Sequence, residues 1–293
     1  MRANYRYVLS ENSNGELDYG ILKDRHRQEG YEHLENQNRW HLSYGHHLEL
    51  PNNYVQRTDI HLASDIAYPL HFQQQFNFVG EPALDNRMSL TKHLEGYHLS
   101  LDSSYYMSLL ERLDDGKKSS VHRVPEINFS VTDKKLTDLF PLYMRFDAQY
   151  VNYVRRGVSF DSKTQRLDNG GNPVLTDSGT PVFDYTPSSP SGVFDPTVNQ
   201  MRAGQRIDLE PQFYSPWRFL NNTIEFTPYF SYRHTHYILA GLNRTQGFDH
   251  SPHRNYFKYG AVASTEFSRI SKSRKYRHSI VPEVSFQAIP YVY

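Results

Sequence analysis

Fifteen histidines are the first residues in this chain that could do chemistry, because imidazole both ligates transition metals and moves protons near neutral pH. His46 and His47 are adjacent, and His234 and His236 share one parity. Neither pair has Asp, Glu or Cys at a spacing that would close a four-ligand site, so no metal is expected. Asp208, Glu210 and Glu283 invite comparison with a glycosidase, whose two carboxylates stand about 5 to 10 Å apart. Charged residues lining any polar barrel give the same pattern. With no nucleophile elbow, phosphate-cradling loop or Cys/His dyad, no catalytic residue and no cofactor are expected.

The elements that carry these side chains are strands. In RIDLEPQFYSPW, Ile207, Leu209, Pro211, Phe213 and Trp217 fall on one parity and Arg206, Asp208, Glu210, Gln212 and Tyr214 on the other. Successive side chains of a strand point to opposite faces, so the segment has one oily and one charged face. The pattern recurs in Trp40 to Leu50, Tyr97 to Met107, Leu142 to Tyr150, Ile224 to Tyr232, Phe257 to Phe267 and Ile280 to Ala288. Weaker segments near Ala3 to Leu9, Glu16 to Leu22, Tyr54 to Leu62, Arg87 to His93 and Val121 to Val131 bring the count to about twelve strands. His46 and His236 fall on the oily parity, an uncomfortable place away from an interface. Pro125, Pro211, Pro228 and Pro282 share that face; each removes a ladder donor, so each belongs at a strand end, a bulge or a weak seam.

Composition decides less. The 32 basic and 32 acidic residues cancel, which gives no electrostatic reason to expect nucleic acid. There is no Cys, and 23 Tyr with 17 Phe favour strands with oily and wet ends. Mean hydropathy is −0.72, and no run approaches the ~20 apolar residues of a membrane helix. MRANYRYVLS is not a secretory signal.

The connections separate a sandwich from a barrel. Gaps between successive strands alternate short and long along the chain, the longest from Arg155 to Gly204 being dense in Gly, Pro, Asp and Ser. Short turns at one rim and long loops at the other build outer-membrane barrels, whereas Greek-key sandwiches have no reason to keep that order. Residues 155–204 are then a long extracellular loop within a single domain spanning 1–293. Trp40 follows a long loop and Trp217 precedes a short turn, which puts them at opposite interfaces. The expectation is an all-β, antiparallel, up-and-down transmembrane barrel, its oily parity toward lipid and its charged parity toward a wet lumen.

At DIHLASDIAYPLHF the residues begin to match a family. A strand carrying Asp59 and ending in Ser64 and Asp65, followed by Tyr68 and Phe72, resembles the barrel of the LPS-assembly protein LptD family, also called OstA or Imp. Similar stretches follow the family's order: Arg39 with Trp40, RVPEINF with Arg123 and Pro125, RIDLEP with Arg206, Glu210 and Pro211, THY at Thr235, and VPEVSFQAIPYVY with Pro282. Val281 departs from the Glu the family often places before that proline. The resemblance implies an integral outer-membrane transporter that assembles lipopolysaccharide into the outer leaflet, through a barrel of roughly two dozen strands. It further implies an LptE-like lipoprotein plug, a periplasmic jellyroll connecting to the Lpt bridge, and a lateral gate between first and last strands, so this chain would cover about the first half of the barrel. Two alternatives stay open: an unrelated outer-membrane channel closed by these strands alone, whose final Tyr-Val-Tyr suits a barrel end, and a soluble carbohydrate-active β-protein.

Overall fold

The computed structural model describes residues 1–25, 37–72, 83–109, 120–155, 159–187, 193–239, 249–270 and 276–292. Strands dominate: β1 (Arg2–Ser10), β2 (Ser13–Lys23), β3 (Asn38–Leu50), β4 (Tyr54–Ala63), β5 (Ala83–Leu94), β6 (Tyr97–Ser108), β7 (Val121–Lys135) and β8 (Tyr143–Arg155). They continue as β9 (Phe160–Gln165), β10 (Phe183–Pro187), β11 (Asn199–Met201), β12 (Gly204–Tyr214), β13 (Trp217–Phe219), β14 (Ile224–Ile238), β15 (His253–Thr265), β16 (Phe267–Ile270), β17 (Arg277–Ile280) and β18 (Glu283–Ala288). The one helix among the described residues is the single turn α1 (Tyr68–His71). No described helix is long and apolar enough to cross a membrane, which leaves the strands to do so.

The sheet is an antiparallel meander in the order β1-β2-β3-β4-β5-β6-β7-β8-β12-β14-β15-β18, with β13 added beside β14. Its first and last strands do not pair with each other. Every long wall strand pairs with its chain neighbour, and the expected alternation of connections holds through most of the chain. The turns at 11–12, 51–53 and 95–96 lie at one rim, here the lower, and the strand ends at Lys23, Ala63, Ser108, Arg155 and Ile238, from which the longer connections leave, lie at the other.

Two connections differ from expectation. Residues 156–203 carry their own three-stranded sheet, β10-β9-β11, and bridges Leu167 to Pro173 and Leu175 to Pro181. The connection from β15 to β18 is no short turn: β16 and β17 extend the hairpin past the rim. The register is conserved across the interruption, Ser264 opposite Glu283 and then Phe267 opposite Ile280. Phe267 therefore belongs to β16 and not to the wall strand β15.

The faces are sorted as the alternation predicts. Buried side chains include Arg39, His41, Ser100, Glu126, Asp208, Ser231 and Thr235, while Leu99, Leu101, Phe213, Phe230, Phe257 and Tyr259 are exposed. Phe226 is 37% and Phe286 61% exposed, Leu209 is half-buried, and no second layer covers them among the described residues. A soluble protein of this kind would put its largest apolar groups in water. Hydrocarbon is the solvent that suits this wall.

Alternation fails at the upper ends of β4 to β6. Met107 and Leu84 share the parity of the exposed Leu101 and Met88, yet both are buried in a cluster with Ala63 and Tyr68. The β4–β5 ladder stops at Asp59 opposite Arg87. Above it Asn86 fills the gap, its Oδ1 accepting from the His61 N–H at 2.8 Å and its Nδ2 donating to the Tyr105 carbonyl at 3.2 Å. Packing of the α1 segment there replaces contact with lipid.

Because face decides the solvent, Phe230→Arg is expected to cost about 2–4 kcal/mol and Gln212→Arg less than about 1 kcal/mol. Urea unfolding from vesicles of both variants measures the difference.

Candidate functional site

The upper site grows around Arg39, the second residue of β3 and only 1% exposed. Its guanidinium fork meets Asp65 in bidentate fashion, Nε to Oδ2 at 3.0 Å and Nη2 to Oδ1 at 2.9 Å. Nη1 donates to Asp24 Oδ2 at 2.7 Å and to His71 Nδ1 at 3.0 Å. Arginine has no acceptor, so that histidine nitrogen carries no proton. Tyr68 and Phe72 place their rings 5.4 and 5.2 Å from the guanidinium carbon.

Local sequence explains the convergence. Asp65 follows β4 directly, and the Ser64 hydroxyl donates to it at 2.7 Å while accepting from the Trp40 N–H at 3.1 Å. Pro69 sits in the first turn of α1, where a missing N–H costs nothing, and the turn brings Tyr68, His71 and Phe72 back over β3. Below the knot, His41 Nδ1 lies 3.1 Å from the Tyr68 hydroxyl and its Nε2 is 3.6 Å from Asp18, which holds Arg2 at 2.5 Å. Burial, and then the neighbouring Arg39 cation, holds the His71 imidazole below its ordinary value. Burial likewise pushes the Tyr68 phenol up.

The second site is a charge lattice across the polar face of β6 to β15. Gln149 donates to Glu126 and to Asn128, both at 2.8 Å, and accepts from Arg206. Asn128 donates onward to Ser100 at 3.2 Å and Asp102 at 3.3 Å. Arg233 grips Asp208 at 2.9 and 2.6 Å, with the Thr235 hydroxyl on the same carboxylate at 3.2 Å. Glu210 takes Lys258 at 2.8 Å and lies 3.7 Å from Arg233. A cavity of about 230 Å³ opens among Asn128, Asp147, Gln149, Asp208, Glu210 and Arg233. Asp208 and Glu210 are committed to cations and Asp147 accepts from the Ser130 hydroxyl at 2.8 Å, which suits a wet, fixed lining.

The structure thus brings Arg39, Ser64, Asp65, Tyr68 and Phe72 together, and Arg206 and Glu210 into the lattice. Trp40 lends its backbone to the knot. Asp59 lies apart, largely exposed and 2.8 Å from His61. Arg123 bonds the Tyr106 hydroxyl at 2.8 Å and Glu126 at 3.3 Å. Residues three apart on a strand face opposite ways, but at Pro125 β7 spends one residue more than β6 and β8, and this bulge turns both side chains inward. Pro211 interrupts the β12–β14 ladder, and Pro282 marks the interruption between β18 and β17. These prolines punctuate the ladder. Asp24, His71, His41 and Asp18 carried no signal that singled them out, and Arg233 becomes important only through Asp208 across the ladder. The oily-face His46 finds the Tyr7 hydroxyl at 2.7 Å, and His236 the Ser251 hydroxyl at 3.0 Å.

Comparison with known families decides the assignment: LptD, LPS transport system D, matches residues 37–293. The chain belongs to the LptD family. That family transports and assembles lipopolysaccharide and is not a family of enzymes, and membership implies the outer membrane. A search of the curated proteins finds no relative that matches. The LptD match begins at Gln37, one residue before β3, yet β1 and β2 extend the same sheet with Ser13 to Lys23 laddered against Leu48 to Asn38.

Asp65→Ala leaves a buried guanidinium half-paired and should cost about 3–5 kcal/mol in urea unfolding. A histidine depressed in the folded state supports the knot above its unfolded value of about 6.5 and withdraws that support as pH falls through its lower folded value. Hydrogen exchange of 64–72 should therefore accelerate as pH falls below about 6.5, and His71→Gln should flatten that dependence.

Proposed function

We propose that this chain forms part of the wall of a lipopolysaccharide translocon, in which glycolipid delivered from the periplasm leaves sideways into the outer leaflet while its sugars pass through water. The observation that carries this reading is the division of one sheet into an apolar, uncovered outer face and an ion-paired inner face. An amphipathic substrate needs both surfaces side by side. The residues 155–204 region is the extracellular loop of the single barrel domain, with its own small sheet above the rim. An unpaired strand edge in hydrocarbon costs several kcal/mol per orphaned group, so the free edges of β1 and β18 meet further strands of a larger barrel. The lateral gate lies among those strands, and the lumen receives an LptE-like lipoprotein plug. A periplasmic jellyroll connects the barrel to the Lpt bridge.

Photo-crosslinking in cells tests the reading. A crosslinker in place of Asn128 or Gln212 should capture lipopolysaccharide during synthesis, and one in place of Phe226 should capture membrane lipid. Absence of lipopolysaccharide adducts at both inward positions would refute transport along this face.

A further inference from the structure

The β16–β17 hairpin continues the β15–β18 pair past the lower rim. Between Glu266 and Glu283 the sequence holds Arg269, Lys272, Arg274, Lys275 and Arg277 and no acidic residue. Glu266 answers one of these, bonding Arg277 at 2.5 Å, and the segment stays strongly basic. Phe267 and Ile280 are 60% and 70% exposed, and Ile270 and Val281 are exposed as well.

Register tells which way the side chains of the hairpin turn. On β15 the odd residues Phe257 and Tyr259 face outward and are exposed, whereas Lys258 faces inward to Glu210. Because pairing resumes without slip, Phe267 and Ile280 keep the outward parity, and Arg269 opposite His278 follows one step farther from the wall. The apolar pair thus stands at the edge of the hydrocarbon, with a cation ~7 Å beyond it. The same rim carries outward tyrosines paired to lysines, Lys92 to Tyr54 at 3.0 Å and Lys134 to Tyr97 at 3.1 Å. Such pairs mark the headgroup level, where the ring remains in the interface and the amine reaches phosphate.

We infer that the β16–β17 hairpin binds anionic phospholipid headgroups of the periplasm-facing leaflet, Phe267 and Ile280 inserting at the interface and Arg269 meeting phosphate. This rests on the sheet being a membrane wall, and the test separates the two. In the full-length protein, with Trp40, Trp217 and every other tryptophan changed to Phe, single tryptophans at Ile280→Trp and Phe226→Trp are reconstituted in nanodiscs whose lipids carry bromine in the acyl chain. Quenching at both positions supports the inference. Quenching of Phe226→Trp alone overturns the hairpin site and leaves the wall intact; quenching of neither overturns both. Crosslinking of the hairpin to a periplasmic protein domain, without quenching at Ile280→Trp, assigns it that partner and also overturns the inference. Arg269→Gln should lower the preference for phosphatidylglycerol over phosphatidylcholine about fivefold in native mass spectrometry, the value of ~1 kcal/mol per basic residue. An unchanged preference overturns the phosphate contact.

Discussion

Backbone hydrogen bonding governs this structure more than any side chain does. In hydrocarbon an N–H or C=O without a partner costs several kcal/mol, so a wall of strands survives only if its ladder is continuous or repaired wherever it breaks. The breaks here are repaired. At the Pro125 bulge the Val124 carbonyl, displaced from the ladder, accepts from Asn152 Nδ2 at 2.7 Å. Where β4 and β5 part, Asn86 acts as acceptor and donor in place of the missing backbone. Below β12 the Ser215 N–H reaches the Pro228 carbonyl at 3.1 Å, and the Ser215 hydroxyl reaches the Pro141 carbonyl at 2.7 Å. Side-chain amides and hydroxyls are concentrated at such points because they can stand in for peptide groups.

A continuous ladder fixes the parity of every strand, and parity then sorts the chemistry. Equal numbers of acidic and basic residues look uninformative as a net charge of zero, but on this sheet they become alternating partners across the inner face. Asp208 with Arg233 and Glu210 with Lys258 neutralise each other locally, so the lining is hydrated without exerting a strong field of one sign. In the proposed translocon such a lining would let sugars and phosphates pass without holding them. The Arg39 knot differs because its charges are almost fully buried. Three charged groups and two aromatic rings there fix one arrangement of the chain after β4, and such buried ion pairs serve specificity more than stability.

Most of the wall was legible because period-two alternation survives wherever one face meets lipid and the other water. It was illegible where neither solvent decides. Met107 read as lipid-facing and Leu84 lay outside the strand expected from Arg87 to His93, but the α1 segment, whose packing depends on distant Arg39, covers that level. The β9–β11 sheet escaped notice because its strands lie outside the wall and carry no obligation to alternate. Of the knot, Arg39, Ser64, Asp65, Tyr68 and Phe72 were visible only through resemblance to a family. Asp24 and His71 sit at the edges of long connections, and no spacing in the sequence announces that two loops will share one guanidinium.

The two rims solve different problems, and that difference orients the sheet. At the upper rim long connections are fastened by arginine to carboxylate, as Arg39 joins Asp24 to Asp65 and as Asp161 is shared by Arg155 and Arg202. Such clamps work without a lipid partner, which suits segments standing in water above the wall. Most connections at the lower rim are short, and the cations on its outer face include Lys92 beside Tyr54, Lys134 beside Tyr97, and Arg269 on the β16–β17 hairpin. Lysine there has a flexible stem and a compact charge that can follow a mobile phosphate, and arginine adds a planar fork that matches phosphate in bidentate fashion. A sheet with buried arginine–carboxylate clamps at one end and exposed cations beside aromatic rings at the other has a direction across the bilayer written in its side chains, independently of loop length.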